Sequence, residues 1–311
     1  MKPINLCFLL AFSAIGIANA QDKIIDIHMH AMTLSSPVVY CPYNTDPLTG
    51  ARIFSKNTEL PCEHLLTSPA SNADLLNEIV RYIKKKNIVY AVISGLDRKR
   101  QMELKAAMPN TFILGVGSDP LTDGIDSVRN MMKRGDIKVL GELGTQYLGL
   151  TLNSPEYDPF MTLAEEFDMP VINHCGPGLP GGSSGKYKAA LGNPLVYEDL
   201  LIKHPKLRIC LAHAGWPKAD EMISLMFNYK NVYVDISYIS YCVPKEEFRN
   251  YLKRLVDAGF SKRILFGSDL ILWPEVIDLA INSIKSADFL SDQQKQDIFY
   301  NNAVRFLKIK E

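Results

Sequence analysis

The sequence predicts a closed α/β barrel of eight parallel strands, each followed by a helix, on three observations. Apolar runs and helical periods alternate eight times along the chain. The strand runs are continuous in Val, Ile and Leu rather than alternating with polar residues, as parallel strands buried on both faces require. No glycine-rich fingerprint follows the first run, where an open dinucleotide-binding sheet would carry one, so the strand count favours the (β/α)8 (TIM) barrel over a doubly wound sheet.

The β-branched run Ile24 to His30 is the first strand. A long irregular connection, Ala31 to Ser71, follows it and reads as a functional cap, since such connections are uncommon in compact domains. Helical apolar spacing then covers Ala73 to Lys86, with Asn72 as a candidate N-cap. The alternation continues with a strand Val89 to Ser94 and helix Arg98 to Met108, then a strand Thr111 to Gly117 and helix Gly124 to Lys133. Next come strand Lys138 to Leu143 with helix Pro159 to Phe167, and strand Pro170 to His174 with helix Pro194 to Lys203. Strand Arg208 to His213 precedes helix Lys218 to Phe227, and strand Val232 to Ser237 precedes helix Lys245 to Asp257. The eighth strand is Arg263 to Gly267, followed by helices Glu275 to Ser286 and Asp292 to Leu307.

Composition narrows the function classes. The chain has 311 residues, 47% hydrophobic and 22% charged, which excludes a disordered, collagen-like or polytopic membrane protein. Lys plus Arg equals Asp plus Glu at 34 each, so there is no basic field for nucleic acid or anionic lipid and no acidic field for cationic partners. A small neutral or modestly charged molecule is the expected partner, without nucleic acid or stable membrane insertion, and a homodimer is the base-rate expectation for such barrels.

Residues 1–20 read as a cleaved signal peptide. Lys2 supplies the positive end, Leu6 to Ile17 the apolar stretch, and Ala18-Asn19-Ala20 the cleavage site before Gln21. The apolar stretch is shorter than the roughly 20 residues of a spanning helix. A single barrel domain over 21–311, in the periplasm or secreted, is therefore expected. In an oxidising compartment Cys41 and Cys62, which bracket a polar, Pro-rich segment, are candidates for a disulfide. Cys175, Cys210 and Cys242 fall on or just after strand runs and read as small buried residues.

Polar residues gather at the C-terminal strand ends. His28 and His30, at i and i+2, leave the first strand on one face. Glu142 closes the fourth strand, His174 the fifth and His213 the sixth, and Asp269 follows the eighth. Taken singly, each has an ordinary structural reading, such as a hydrogen-bonded histidine or a helix cap. Jointly they occupy the rim where barrel enzymes build active sites. His64 and His204 fall elsewhere and read as incidental. The pattern suits a divalent metal held by His28, His30, His174, Asp269 and Glu142, compatible with zinc, manganese or iron. Such an ion lowers the pKa of a bound water to about 7. Asp269 would then move the water's proton, and His213 would bind the metal or hydrogen-bond the developing oxyanion. Glu142 would complete the site, bridge a second metal or orient a ligand.

These residues resemble the amidohydrolase superfamily. Asp26-Ile27-His28-Met29-His30, His174, His213 and Gly267-Ser268-Asp269 carry the resemblance. The His213-Ala214-Gly215 setting and the closing Asn302-Ala303-Val304-Arg305-Phe306-Leu307 are similar to its amidohydrolase-2 branch. The resemblance implies a distorted barrel, a metal that is usually zinc, and hydrolysis of an amide, ester or lactone or, in some members, decarboxylation of an aromatic acid. No lysine closes the fourth strand, so the carbamylated-lysine bridge of binuclear members is not expected. Glu142 could replace it, as in deoxyribonuclease-like relatives, which leaves one or two metals open. The neutral charge argues against a DNA substrate.

Two secondary features complete the reading. The glycine-rich run Gly176 to Lys186 fails the phosphate-loop pattern at Pro180 and Tyr187 and is read as a lid after the fifth strand. Tyr147, Trp216, Tyr238 and Trp273 follow strands and could line a pocket or pack under loops. The leading expectation is an exported metal-dependent hydrolase. A metal-dependent decarboxylase of an aromatic or unsaturated acid is the first alternative; it would need a basic side chain for the carboxylate, and only Arg52 and Arg98 fall near the rim. A non-catalytic periplasmic binding barrel is the second.

Overall fold

The computed structural model describes residues 23–43, 53–55, 62, 64–95, 97–117, 119–178 and 185–310. The expected leader, Arg52 and the middle of the glycine-rich lid segment (179–184) lie outside the described residues.

The barrel strands are β1 Ile24–His30, β2 Ile88–Ser94, β3 Phe112–Leu114, β4 Leu140–Leu143, β5 Val171–His174, β6 Ile209–Ala212, β7 Val232–Asp235 and β8 Ile264–Leu265. Several are shorter than their apolar runs, because the ends leave the ladder to form the rim. All neighbouring pairs run parallel, in one arc of β1 to β3 and another of β4 to β8. The arcs meet at two seams held by single bridges, Met29 to Leu270 and Gly115 to Val139. At the first seam His28 O accepts from Asp269 N at 2.8 Å, which puts the end of the chain's eighth strand beside the first. The result is a distorted barrel.

Helices α1 Asn72–Lys85, α2 Arg98–Ala107, α3 Ile125–Arg134, α4 Asp158–Glu166, α5 Glu198–Lys203, α6 Ala219–Asn228, α7 Lys245–Asp257 and α8 Val276–Lys285 surround it. They bury Ile83, Leu104, Val128, Leu163, Leu225 and Leu255 against the ring, each no more than 2% exposed. Each such side chain contributes about 1.5–3 kcal/mol relative to exposure. A second cluster draws Val92, Ile172, Cys210 and Leu265 from strands around the ring and fills the interior. Tyr300, Ala303 and Phe306 join that cluster. Tyr300 lies with Lys23, Ile88 and Thr111 at the strand starts, so the C-terminal helical segment plugs the N-terminal end of the barrel. That segment runs Asp292–Gln296, a π-turn Asp297–Asn301 and Asn302–Leu307, behind a Ser291/Gln294 capping box.

Three expectations need correction. The first connection is not wholly irregular: Val38–Tyr40 pairs antiparallel with Ile53–Ser55 and with Leu66–Thr67. A disulfide joins Cys41 to Cys62 within it. The cap of α1 is Ser71, whose hydroxyl accepts from Asp74 N. Asn72, one residue later, instead grips the long loop, its side chain accepting from Leu34 N at 2.8 Å and donating to Leu34 O at 3.0 Å. Cys242 ends a short helix, Ile239–Cys242, rather than following a strand directly; it is buried, as are Cys175 and Cys210.

Candidate metal centre and active site

The open end of the barrel is polar at its floor. His28 and His30 descend from β1, Glu142 from β4 and His174 from β5, while His213 and Asp269 stand just beyond β6 and β8. All six lie at one place. His28 Nε2 is 3.2 Å from Glu142 Oε2, 3.3 Å from His30 Nε2 and 3.6 Å from Asp269 Oδ1. His30 Nε2 is 2.9 Å from Asp269 Oδ1 and 3.4 Å from Glu142 Oε2. The other oxygen, Glu142 Oε1, faces His213 Nε2 at 3.6 Å. Glu142 thus stands between two ligand groups, His28/His30 on one side and His174/His213 on the other.

Local backbone turns these side chains inward. His213 and Asp269 adopt φ of 60° and 50°, an uncommon region for residues with a Cβ, so each leaves its strand line at once. Tyr238 has φ 58° and ψ −59° at the centre of a γ-turn closed by Ile239 N donating to Ser237 O at 2.6 Å. Such conformations cost on the order of 1–3 kcal/mol each and persist where the surroundings over-determine them. Gly267 is required by close approach: a Cβ there would lie 2.8 Å from His28 Cβ.

Behind the imidazoles, hydrogen bonds fix which nitrogen faces the cavity. His28 Nδ1 donates to Asp235 Oδ2 at 3.0 Å, and His213 Nδ1 donates to Ser237 O at 3.1 Å. Ser237 Oγ lies 3.0 Å from the first and 3.1 Å from the second of these nitrogens, while its own proton goes to Asp235 Oδ1. His174 Nδ1 donates to Gln146 Oε1 at 2.9 Å. The Gln146 amide is oriented by donating to Gly176 O and Lys188 O, so its oxygen must face His174. In each case Nδ1 is committed to an acceptor behind the ring and Nε2 is aimed at the site, the orientation that metal-binding histidines need. Asp235 also forms a ligand-type group with His28 and His213, but it approaches His28 through Nδ1, on the side of the ring away from Glu142.

Charge and burial point the same way. Burial and the neighbouring His213 pull the His174 imidazole down to about 3, so it is neutral. For His28 burial opposes protonation, yet the Glu142, Asp235 and Asp269 carboxylates outweigh it and hold the imidazole well above its ordinary range. Burial likewise opposes ionisation of Glu142, but the His28 imidazole holds it below the usual carboxylate range. The site therefore demands positive charge beside Glu142. Glu142 Oε1 and Asp269 Oδ1 are buried without an aligned hydrogen-bond donor, although imidazole nitrogens stand at ion-pair distance. Orphaned carboxylate oxygens and imidazole Nε2 atoms aimed at one point fit a divalent cation, which would replace the proton held on His28.

Above this floor opens a cavity of about 530 Å³, walled by Met32, Leu148, Ile271, Tyr147 and Tyr238. Tyr147 reaches His174 Nε2 with its hydroxyl at 3.2 Å, and the Tyr238 ring lies 5.8 Å from His213. Of the four aromatics singled out in sequence, these two line the cavity. Trp273 is buried under the first loop, donating to Val38 O, and Trp216 donates to Glu247. Arg98 is turned aside, donating to Gln101 Oε1 at 2.7 Å and Gly115 O at 3.4 Å. His204 is a buried structural residue between Asp158 and Glu165. Sequence reasoning missed Asp235, Ser237 and Gln146. Asp235-Ile236-Ser237 does repeat at the seventh strand end the polar-x-polar spacing of His28 and His30, a signal that was available.

Comparisons with known proteins bear on the fold and the family. Protein fluG of Emericella nidulans is 24% identical over 134 residues, covering 38% of this chain and only 16% of that protein's length. A probable 2-pyrone-4,6-dicarboxylic acid hydrolase of Acinetobacter baumannii, solved with citric acid bound, superposes with a TM-score of 0.63 at 14% identity, covering 92% of this chain and 100% of that one. A 5-carboxyvanillate decarboxylase of Novosphingobium aromaticivorans, solved with manganese, gives 0.54 at 14% identity over 74% of this chain and 79% of that one. Both structures share the fold. The amidohydrolase-2 family model, described as Amidohydrolase, matches residues 25–309, and the chain belongs to that family.

Proposed function

We propose that this amidohydrolase is a metal-dependent hydrolase that cleaves a small ester, lactone or amide. The observation that carries the reading is the convergence of four imidazoles and two orphaned carboxylates on one cavity floor, with no lysine or arginine among the described lining residues. His28, His30, His174, Asp269 and Glu142 would hold the ion, with zinc as the expected metal. What a divalent ion supplies there is acidity for an attacking water and polarisation of the scissile carbonyl. Asp269 Oδ1, buried and without an aligned donor, is the acceptor for the water's proton and its carrier to the leaving group. His213, its Nδ1 proton committed to Ser237 O, presents Nε2 to the site and so fits the ligand half of its two expected roles. Glu142, with one oxygen towards His28 and His30 and the other towards His213, would hold the ion between the two histidine pairs.

Decarboxylation is the second reading, favoured by solved relatives such as 2,6-dihydroxybenzoate decarboxylase, 17% identical with a TM-score of 0.54 over 74% of this chain and 87% of that one. Acid release and CO₂ release are measured in parallel on lactones, esters, amides and aromatic acids, with the zinc- and manganese-loaded protein. Hydrolysis without CO₂ is expected; CO₂ from an aromatic acid with no hydrolysis reverses the choice. The variant carrying both His28→Ala and His30→Ala should lose bound metal and activity together, and an unchanged metal content in it overturns the ligand assignment. We also propose export, which the Cys41–Cys62 disulfide supports because such bonds persist in oxidising compartments. Mass analysis of the exported protein should find Gln21 at its N-terminus; retention of residues 1–20 would refute cleavage.

A further inference from the structure

We infer that Asp119 determines specificity in this cavity, selecting substrates that bear an ammonium or hydroxyl group near the scissile bond and rejecting those with a carboxylate there. The inference rests on the hydrolase reading and names its substrate class. Asp119 follows β3 and lines the same cavity as His30, Glu142, His174 and Asp269, yet belongs to none of the ligand groups. Its carboxylate is held in place on one side: Oδ1 accepts from Leu121 N at 3.1 Å and from the hydroxyl of fully buried Tyr157 at 3.3 Å. Among the described residues both hydrogen bonds to the carboxylate fall on Oδ1, and no Lys, Arg or His pairs with it. An oriented, uncompensated carboxylate therefore belongs to the lining of a cavity whose walls above the ligand residues include the apolar Met32, Leu148 and Ile271. Such a group favours a cation or a hydrogen-bond donor and repels an anion. A cation at the metal site neutralises Glu142 and Asp269 but leaves Asp119 as it is.

The same side chain also caps the short helix Pro120–Asp123, and that role must be separated from recognition. Asparagine caps as well as aspartate, so Asp119→Asn keeps the cap and removes only the charge. The test uses γ-butyrolactams, hydrolysis-resistant rings, carrying an amino, a hydroxyl or a carboxyl substituent. Their binding to the mature, metal-loaded protein is measured by ligand-observed NMR, with circular dichroism to verify that the variant is folded. The wild type should bind the amino and hydroxyl lactams at least about tenfold more tightly than the carboxyl one, as hydrogen bonds to a charged group allow. In Asp119→Asn that preference should fall to within about threefold; in Asp119→Ser, which also caps, it should fall likewise. Equal or tighter binding of the carboxyl lactam, no binding of either donor lactam, or an unchanged preference in both variants overturns the inference. The corresponding lactones, assayed for ring opening, separate the two claims. The predicted binding order without ring opening leaves the substrate class and removes the hydrolase reading, and ring opening without the order does the reverse.

Discussion

At the level of single residues, the site depends as much on the groups behind the imidazoles as on the imidazoles. Asp235 accepts from His28 Nδ1, from His213 N and from Ser237 N, each at 3.0 Å, so one carboxylate sets the position of two cavity histidines. It is fully buried, and His28 helps hold it ionised below the usual carboxylate range against the cost of its burial. Asp235→Asn places an amide N–H where acceptors are needed and should lower metal affinity by about 10–100-fold, the usual cost of losing a partner behind a ligand. Ser237→Ala is the contrasting case. It removes one hydroxyl but leaves His28 on Asp235 and His213 on the Ser237 carbonyl, so metal affinity should fall by less than about tenfold. Titration of both apoproteins with zinc, followed by a chromophoric competitor, measures the pair. Equal losses would mean that the serine hydroxyl organises the site as much as the carboxylate does.

Among the elements, what could be read from sequence depended on how local the cause was. The β1 histidines were legible because period-2 geometry and a strand end are local facts, and the same holds for Glu142, His174, His213 and Asp269. Asp235 was opaque because its value comes from His28, 207 residues away in sequence. The small sheet in the first loop was hidden because its strands are two or three residues long and carry no period to detect. The α1 cap was misplaced by one residue because serine and asparagine both cap well, and only the Leu34 backbone decides what Asn72 does. Substitution separates the two roles. Ser71→Ala should destabilise the whole protein by about 1 kcal/mol through the lost cap. Asn72→Ala should instead loosen the loop it grips, raising hydrogen exchange at Leu34 N while α1 exchanges as before. If exchange at Leu34 rises equally in both variants, loop and helix open as one unit and the division fails.

For the molecule as a whole, the barrel concentrates unfavourable groups at one end and rests on apolar packing at the other. The C-terminal segment and the interior cluster of Val92, Ile172, Cys210 and Leu265 close the N-terminal end. At the open end, imidazoles and carboxylates stand within 4.8 Å of one another in groups of three, and the carboxylates hold the His28 imidazole well above its ordinary range. A divalent ion satisfies the same demand and binds only the folded chain, so it should stabilise the barrel by mass action. At a free concentration of about 100 Kd that is about 2.7 kcal/mol. For a chain of this size each kcal/mol moves Tm by about 2 °C. Removing metal with a chelator should therefore lower Tm by about 5 °C, and added zinc or manganese should restore it. The variant lacking both β1 histidines should start at the lower Tm and respond to neither chelator nor metal. A wild-type Tm indifferent to chelator, together with no metal by elemental analysis, would show that the protonated His28 and its carboxylates are the resting state of the site and that no ion belongs there.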